Sequence, residues 1–167
     1  MASIRQGIDY LGLNYYNSDL WRFDPEGWAP YEASRVKPPA AALKQTDWQP
    51  DGLRRMLLGI HERYGQPEII VTENGLAAED FVDHRGEVND EARIEYIYSH
   101  LAACRRSLDE GVKLRGYFVW SFLDDYEWGS FGRMGLVHVD FSSLRRRMKR
   151  SGRWFAACIA SRRFSLP

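Results

Sequence analysis

Glu73 follows the apolar, largely β-branched run Ile69-Ile70-Val71-Thr72 and precedes Asn74-Gly75, which makes it the residue best placed to react. Such a run reads as a short strand, and a strand end holds a side chain in a fixed direction. A carboxylate held there among tyrosine and asparagine can attack an electrophilic carbon and form a covalent intermediate. Asn14, Tyr16 and Asn74 are orienting groups, since amides and phenols donate hydrogen bonds to a carboxylate or to a sugar hydroxyl. Trp120 and Trp128 offer flat apolar faces on which a sugar ring stacks. Glu127 has two oxygens with which to accept bonds from neighbouring hydroxyls. Each has a plainer alternative, a loop glutamate for Glu73 and core packing for the tryptophans.

The elements that must position these groups follow from periodicity. Asp9 to Tyr16 reads as a buried strand ending in polar and aromatic residues. Asn17 to Pro50 is long, irregular and rich in proline and tryptophan, a loop of the length usually kept for function. Asp51 to Tyr64 places Leu53, Met56, Leu57 and Ile60 at helical spacing, with Gly65 as its stop. A second helix is predicted from Asp90 to Glu110, with Ile94, Ile97, Leu101 and Leu108 on one face and Gly111 after its end. Leu114 to Phe122 reads as a strand buried on both faces, Leu136 to Val139 as a small further strand, and Ser151 to Arg162 as a closing amphipathic helix. Strand, helix, strand, helix, strand, helix is the α/β pattern with a parallel sheet. In such sheets the chemistry lies at the C-terminal ends of the strands. All three strands end in polar or aromatic clusters.

Composition narrows the function classes. Lysine plus arginine and aspartate plus glutamate are both 23, which argues against a dedicated nucleic-acid binder. The run from Arg145 to Arg150 then reads as a solvated face or an interface with acidic groups. An apolar fraction of 44% fits a folded globular chain. Six tryptophans and nine tyrosines fit a concave site as well as a core. No stretch has the length of a membrane span or the form of a signal peptide. Cys104 and Cys158 read as two buried free thiols, which points to the cytoplasm. The four histidines show no metal-binding spacing. Neither a metal nor a cofactor is called for.

Four stretches resemble the C-terminal third of family 1 glycoside hydrolases, the β-glucosidase family. Asp9–Tyr16 is similar to the segment of the sixth barrel strand. Ile70-Val71-Thr72-Glu73-Asn74-Gly75 resembles the nucleophile motif on the seventh. Gly116 to Trp128 resembles the sugar-binding segment of the eighth, and Arg146, Lys149, Ser151, Trp154 and Phe155 follow the closing pattern. The resemblance implies a partial (β/α)8 TIM barrel of about three parallel βα units, a single partial domain over residues 1–167. It implies a retaining β-glycosidase with Glu73 as nucleophile, Tyr16 bonded to it and Asn14 in the same polar cluster. Glu127 and Trp128 would hold the sugar, and Trp120 would lie beneath it. Between Trp128 and Gly135 the chain runs shorter than the family's.

The resemblance leaves the general acid/base unassigned, because the chain holds no Asn-Glu-Pro; Asp124, Asp125, Glu79 and Asp80 are the candidates. Loss of that group costs about 10²- to 10⁴-fold, so slow turnover of activated β-glycosides is expected. Three strands leave open edges and an uncovered face, which predicts a homo-oligomer. Two alternatives stand beside the minimal glycosidase: an inactive fragment needing a separate N-terminal portion, and a non-catalytic sugar-binding module.

Overall fold

The computed structural model describes residues 7–19, 21–28, 33–35, 48–127 and 129–167. In chain order the elements are β1 (Leu11–Asn14), β2 (Trp21–Trp28), β3 (Ala33–Arg35), α1 (Pro50–Arg63), β4 (Ile69–Asn74), α2 (Glu91–Asp109), β5 (Leu114–Val119), β6 (Asp125–Glu127), β7 (Ser130–Gly132), β8 (Val137–Val139), β9 (Arg146–Met148) and α3 (Arg150–Ser161). Strands β1, β4 and β5 form one parallel sheet in the order β1-β4-β5. Helices α1 and α2 are the crossovers, so the predicted alternation stands. Among the described residues the sheet does not close into a barrel.

Alternation along the strands gives the sheet two faces of different character. Leu11, Leu13, Ile69 and Val71 pack with Leu53, Leu57 and Ile60 of α1 and with Cys104 of α2. A second cluster joins Tyr96, Ile97 and Leu136 to Tyr117, Val119, Trp154 and Phe155. The opposite face carries Gly12, Asn14, Ile70, Thr72, Gly116 and Phe118. A Cβ on Gly12 would sit 3.1 Å from the Thr72 methyl, and one on Gly116 3.3 Å from Ile70. Phe118 is 59% exposed on this side. The expectation that this strand is buried on both faces is therefore corrected: among the described residues only the helix-facing side is covered.

Both long helices end where their glycines permit. The Gly65 φ is 74° and the Gly111 φ is 94°, a region that side chains with a Cβ avoid. The Gln66 N–H donates to His61 O, and the Val112 N–H to Ser107 O, each at 3.0 Å. These are the six-to-one bonds of Schellman caps. Pro50 opens α1, where its missing N–H costs nothing. Leu108, placed on the buried face by spacing, is 44% exposed; Ala103, Cys104 and Ser107 take the inner positions of that turn.

Three further departures concern loops and thiols. The segment from Asn17 to Pro50, read as irregular, contains the antiparallel pair β2-β3, with Trp21 opposite Arg35 and Phe23 opposite Ala33. The strand at Leu136–Val139 is β8, and its partner β9 went unrecognised because its side chains are exposed and basic. Cys104 is buried as expected, and burial pushes its thiol up to about 12. Cys158 is only half-buried. Among the described residues, no helix is long and apolar enough to cross a membrane, and no cluster could hold a metal.

Candidate active site

The ends of the three parallel strands are tied together by Asn74 and the backbone around it. The Tyr15 N–H donates to Glu73 O, and the Trp120 N–H to Asn74 O, both at 2.9 Å. Asn74 Nδ2 donates to Tyr15 O at 2.7 Å and to the Tyr96 hydroxyl at 3.0 Å. The Tyr117 hydroxyl donates to Asn74 Oδ1. The substrate-binding reading of Asn74 is corrected accordingly: the side chain is fully buried and its amide is spent inside the core. It fixes the strand ends rather than reaching a ligand. Gly75 follows because nothing larger fits, a Cβ there falling 1.7 Å from Trp120 O.

On this platform Tyr16 and Glu73 meet. The Tyr16 hydroxyl donates to Glu73 Oε2 at 2.7 Å. Burial raises the Tyr16 phenol well above its ordinary value, with the bond to Glu73 and the charges of Glu73 and Glu127 adding to the effect. The phenol therefore stays a proton donor. Trp120 is half-buried, and its Nε1 donates to Glu127 Oε2 at 3.2 Å. Tyr16, Glu73, Trp120 and Glu127 thus share one end of the sheet, with both carboxylates acting on one phenol. Asn14 lies at the rim, its Oδ1 accepting from the Thr72 hydroxyl at 2.7 Å. Trp128 lies outside the described residues.

The four acid/base candidates separate by environment. The Asp124 carboxylate accepts from Lys149 Nζ at 2.6 Å, Arg133 at 2.9 Å, Gly135 N at 3.0 Å and Val139 N at 3.2 Å. Burial opposes its charge, yet the bonds from Lys149 and Arg133 hold it below the usual carboxylate range. Asp80 is equally enclosed, with Lys149 at 2.5 Å and Arg93 at 2.9 Å. Asp124 is therefore no ready proton donor, the Asp80 side chain is closed in by its two cations, and both candidacies are corrected. Glu79 is exposed. In Asp125, burial and then the charges of Glu127 and Asp124 favour the protonated form, and its Oδ1 is enclosed without a partner.

Sequence reasoning missed the support behind this site. The Tyr96 hydroxyl donates to Tyr16 O at 2.5 Å, bracing the chain beside the Tyr16–Glu73 bond. Its one sequence signal is its place next to Ile97 on the buried face of α2. Arg93 and Lys149 are wholly buried, although charged residues normally read as solvated; for Lys149 this corrects the reading of the run from Arg145 to Arg150 as a solvated face. Lys149 carries a signal only through the closing pattern of the resemblance, and none marks Arg93.

Comparison with known proteins gives consistent results. The model of glycosyl hydrolase family 1 matches residues 1–164. β-Glucosidase A of Thermotoga maritima is 41% identical over 165 residues, covering 95% of this chain and 36% of that protein. β-Glucosidase A of Acetivibrio thermocellus is 35% identical over 170 residues, covering 96% and 37%. Among solved structures, a family 1 β-glucosidase from T. maritima superposes with a TM-score of 0.88 at 38% identity, covering 98% of this chain and 37% of that one. The same organism's β-glucosidase in complex with deoxynojirimycin also gives 0.88, at 37% identity. The chain therefore spans about a third of the length of these relatives. With the family model matching nearly its full extent and the parallel sheet superposing so closely, the chain belongs to glycosyl hydrolase family 1.

Proposed function

We propose that the chain is a slow retaining β-glycosidase in which Glu73 is the nucleophile. The observation that carries the reading is the 2.7 Å bond from Tyr16 to Glu73 at the C-terminal ends of a parallel sheet, beside Glu127 and Trp120. One Glu73 oxygen attacks the anomeric carbon as the bond to the leaving oxygen breaks, giving a glycosyl-enzyme and a phenolate, or an alcohol where solvent supplies the proton. Water then attacks the same carbon and gives a proton to solvent as the carbon–Glu73 bond breaks, which returns Glu73 as a carboxylate and releases the sugar. Trp120 would lie under the ring, with Glu127 and Trp128 binding its outer hydroxyls and Asn14 at the rim. A nitrophenolate departs without needing a proton, so the reading holds with the general acid/base unassigned. The substrate class is β-glycosides with good leaving groups, and efficiency on cellobiose should fall well below that on a nitrophenyl glucoside.

The 167 residues act in this reading as one partial-barrel unit. The face and the two sheet edges that the described residues leave open fit a second copy, and the free thiols fit the cytoplasm. A second reading, turnover only alongside further βα units, is supported by the one-third length match.

The deciding test is nitrophenol release from p-nitrophenyl β-glucoside by the chain and by Glu73→Gln purified identically. Activity in the parent alone supports the proposal. Silence in both, with deoxynojirimycin still bound, points to sugar binding without turnover. Equal activity in both overturns the assignment of Glu73.

A further inference from the structure

A buried chain of alternating charges runs behind the site, from the loop after Glu73 to the strand that carries Glu127. Arg93 Nε donates to Leu76 O at 3.3 Å, three residues beyond Glu73. The Arg93 guanidinium also pairs with Asp90 and with Asp80. Lys149 Nζ bridges Asp80 and Asp124 at 2.5 and 2.6 Å. Asp124 immediately precedes β6, whose last residue is Glu127. The side chains of Arg93, Lys149, Asp90 and Asp124 have no solvent exposure, and that of Asp80 only 2%. With Arg133 the network holds three carboxylates and three cations, so its charges balance.

Such a network is costly to desolvate, and packing alone would be served as well by apolar residues. What ions provide is direction. Four donors saturate the four acceptor positions of Asp124, and these come from three separate segments: Arg133 and Gly135 after β7, Val139 of β8, and Lys149 at the start of α3. The fit is closed from behind by Gly135, where a Cβ would lie 2.2 Å from Asp124 N.

We propose that Lys149 and Asp124 are positioning residues for Glu127, and that through Asp80 and Arg93 they fix its place relative to Glu73. This rests on the reading of Glu127 as a sugar-binding carboxylate. Neither residue touches substrate; each acts by holding the backbone that presents Glu127 to Trp120 Nε1.

The experiment follows the Trp120 indole N–H by NMR in the whole chain, with its resonance assigned by Trp120→Phe. Asp124→Asn keeps the shape but removes the charge that Lys149 grips. The expected result is a shifted Trp120 signal, an unmoved Trp154 signal, since that indole bonds Ser165 O beyond the C-terminal end of α3, and deoxynojirimycin binding weakened about ten-fold or more. A Trp120 signal that stays in place in folded Asp124→Asn overturns the proposal. Should that variant not fold, Asp80→Asn is read by the same criteria, because it removes one of the two carboxylates that aim Lys149. If the parent binds no deoxynojirimycin, the sugar-site reading fails, while the indole signal still decides the positioning claim.

Discussion

At the scale of single residues, burial fixes the protonation state of the Tyr16 phenol at the candidate site. The Tyr16 phenol is held as a donor, so its bond to Glu73 is charge-assisted, the kind whose loss costs about 1.5–3 kcal/mol. If that bond steadies the nucleophile, Tyr16→Phe should slow nitrophenyl glucoside hydrolysis about ten- to a hundred-fold without unfolding the chain, as kinetics beside circular dichroism would read. His100 is the converse case. It is fully buried, stacked on Tyr96 with ring centroids 4.1 Å apart, and burial lowers it to about 4. Its folded value lies below the unfolded value of about 6.5. Its contribution is therefore present above about pH 6.5 and lost as pH falls toward 4, on the order of 3 kcal/mol in all. Urea melts at pH 7 and pH 4.5 should differ less in His100→Phe than in the parent. Equal differences would show that His100 does not sense acid. Glu73, Tyr16 and Glu127 were legible in the sequence because strand-end motifs are local. Asn74 was misread because a bulge in the β4–β5 register turns it toward Tyr96 and Tyr117, and single-chain periodicity contains no bulges.

At the scale of elements, two glycines of similar appearance have opposite meanings. Gly75 lets the end of β4 approach Trp120 O, whereas Gly59 on α1 has nothing within 4 Å of where a Cβ would stand. Gly75→Ala should destabilise by roughly 3 kcal/mol or more through backbone overlap. Gly59→Ala should stabilise by about 0.5–1 kcal/mol through helix propensity. Paired thermal melts would check both signs. The helices and the three parallel strands were legible because their apolar spacing and glycine stops are encoded within a few residues. The β2-β3 hairpin was not, since Asp24, Pro25, Glu26 and Gly27 in its first strand are poor strand formers. Strand β9 escaped notice for the same kind of reason: Arg146-Arg147-Met148 shows no alternation, and only pairing with Val137–Val139 makes it a strand.

At the scale of the whole molecule, the described residues close the helix side of the sheet and leave the other side open. Phe118 and Phe122 stand exposed at 59% and 66% near the C-terminal end of β5. If a second copy covers this face, Phe118→Lys should shift sedimentation toward the monomer mass while leaving the circular dichroism spectrum unchanged. An unchanged mass would place the interface elsewhere. The open side was legible only through the count of strands, because glycines at 12 and 116 say nothing alone about what lies above them.

The strand count carries one more consequence. Among the described residues β1 and β5 are the two edges of the sheet; they differ in sequence but run in the same direction, so β5 of one copy joined to β1 of the next would continue a parallel ladder. Contacts of that head-to-tail kind close into rings only when the rotation divides the circle, and otherwise grow as filaments. The barrel of this architecture has eight strands, and three does not divide eight. Repetition of this unit would give six or nine strands, or an open-ended fibre, but never the family's own circumference. A two-fold arrangement that covers faces, with its edges left unpaired, avoids that arithmetic.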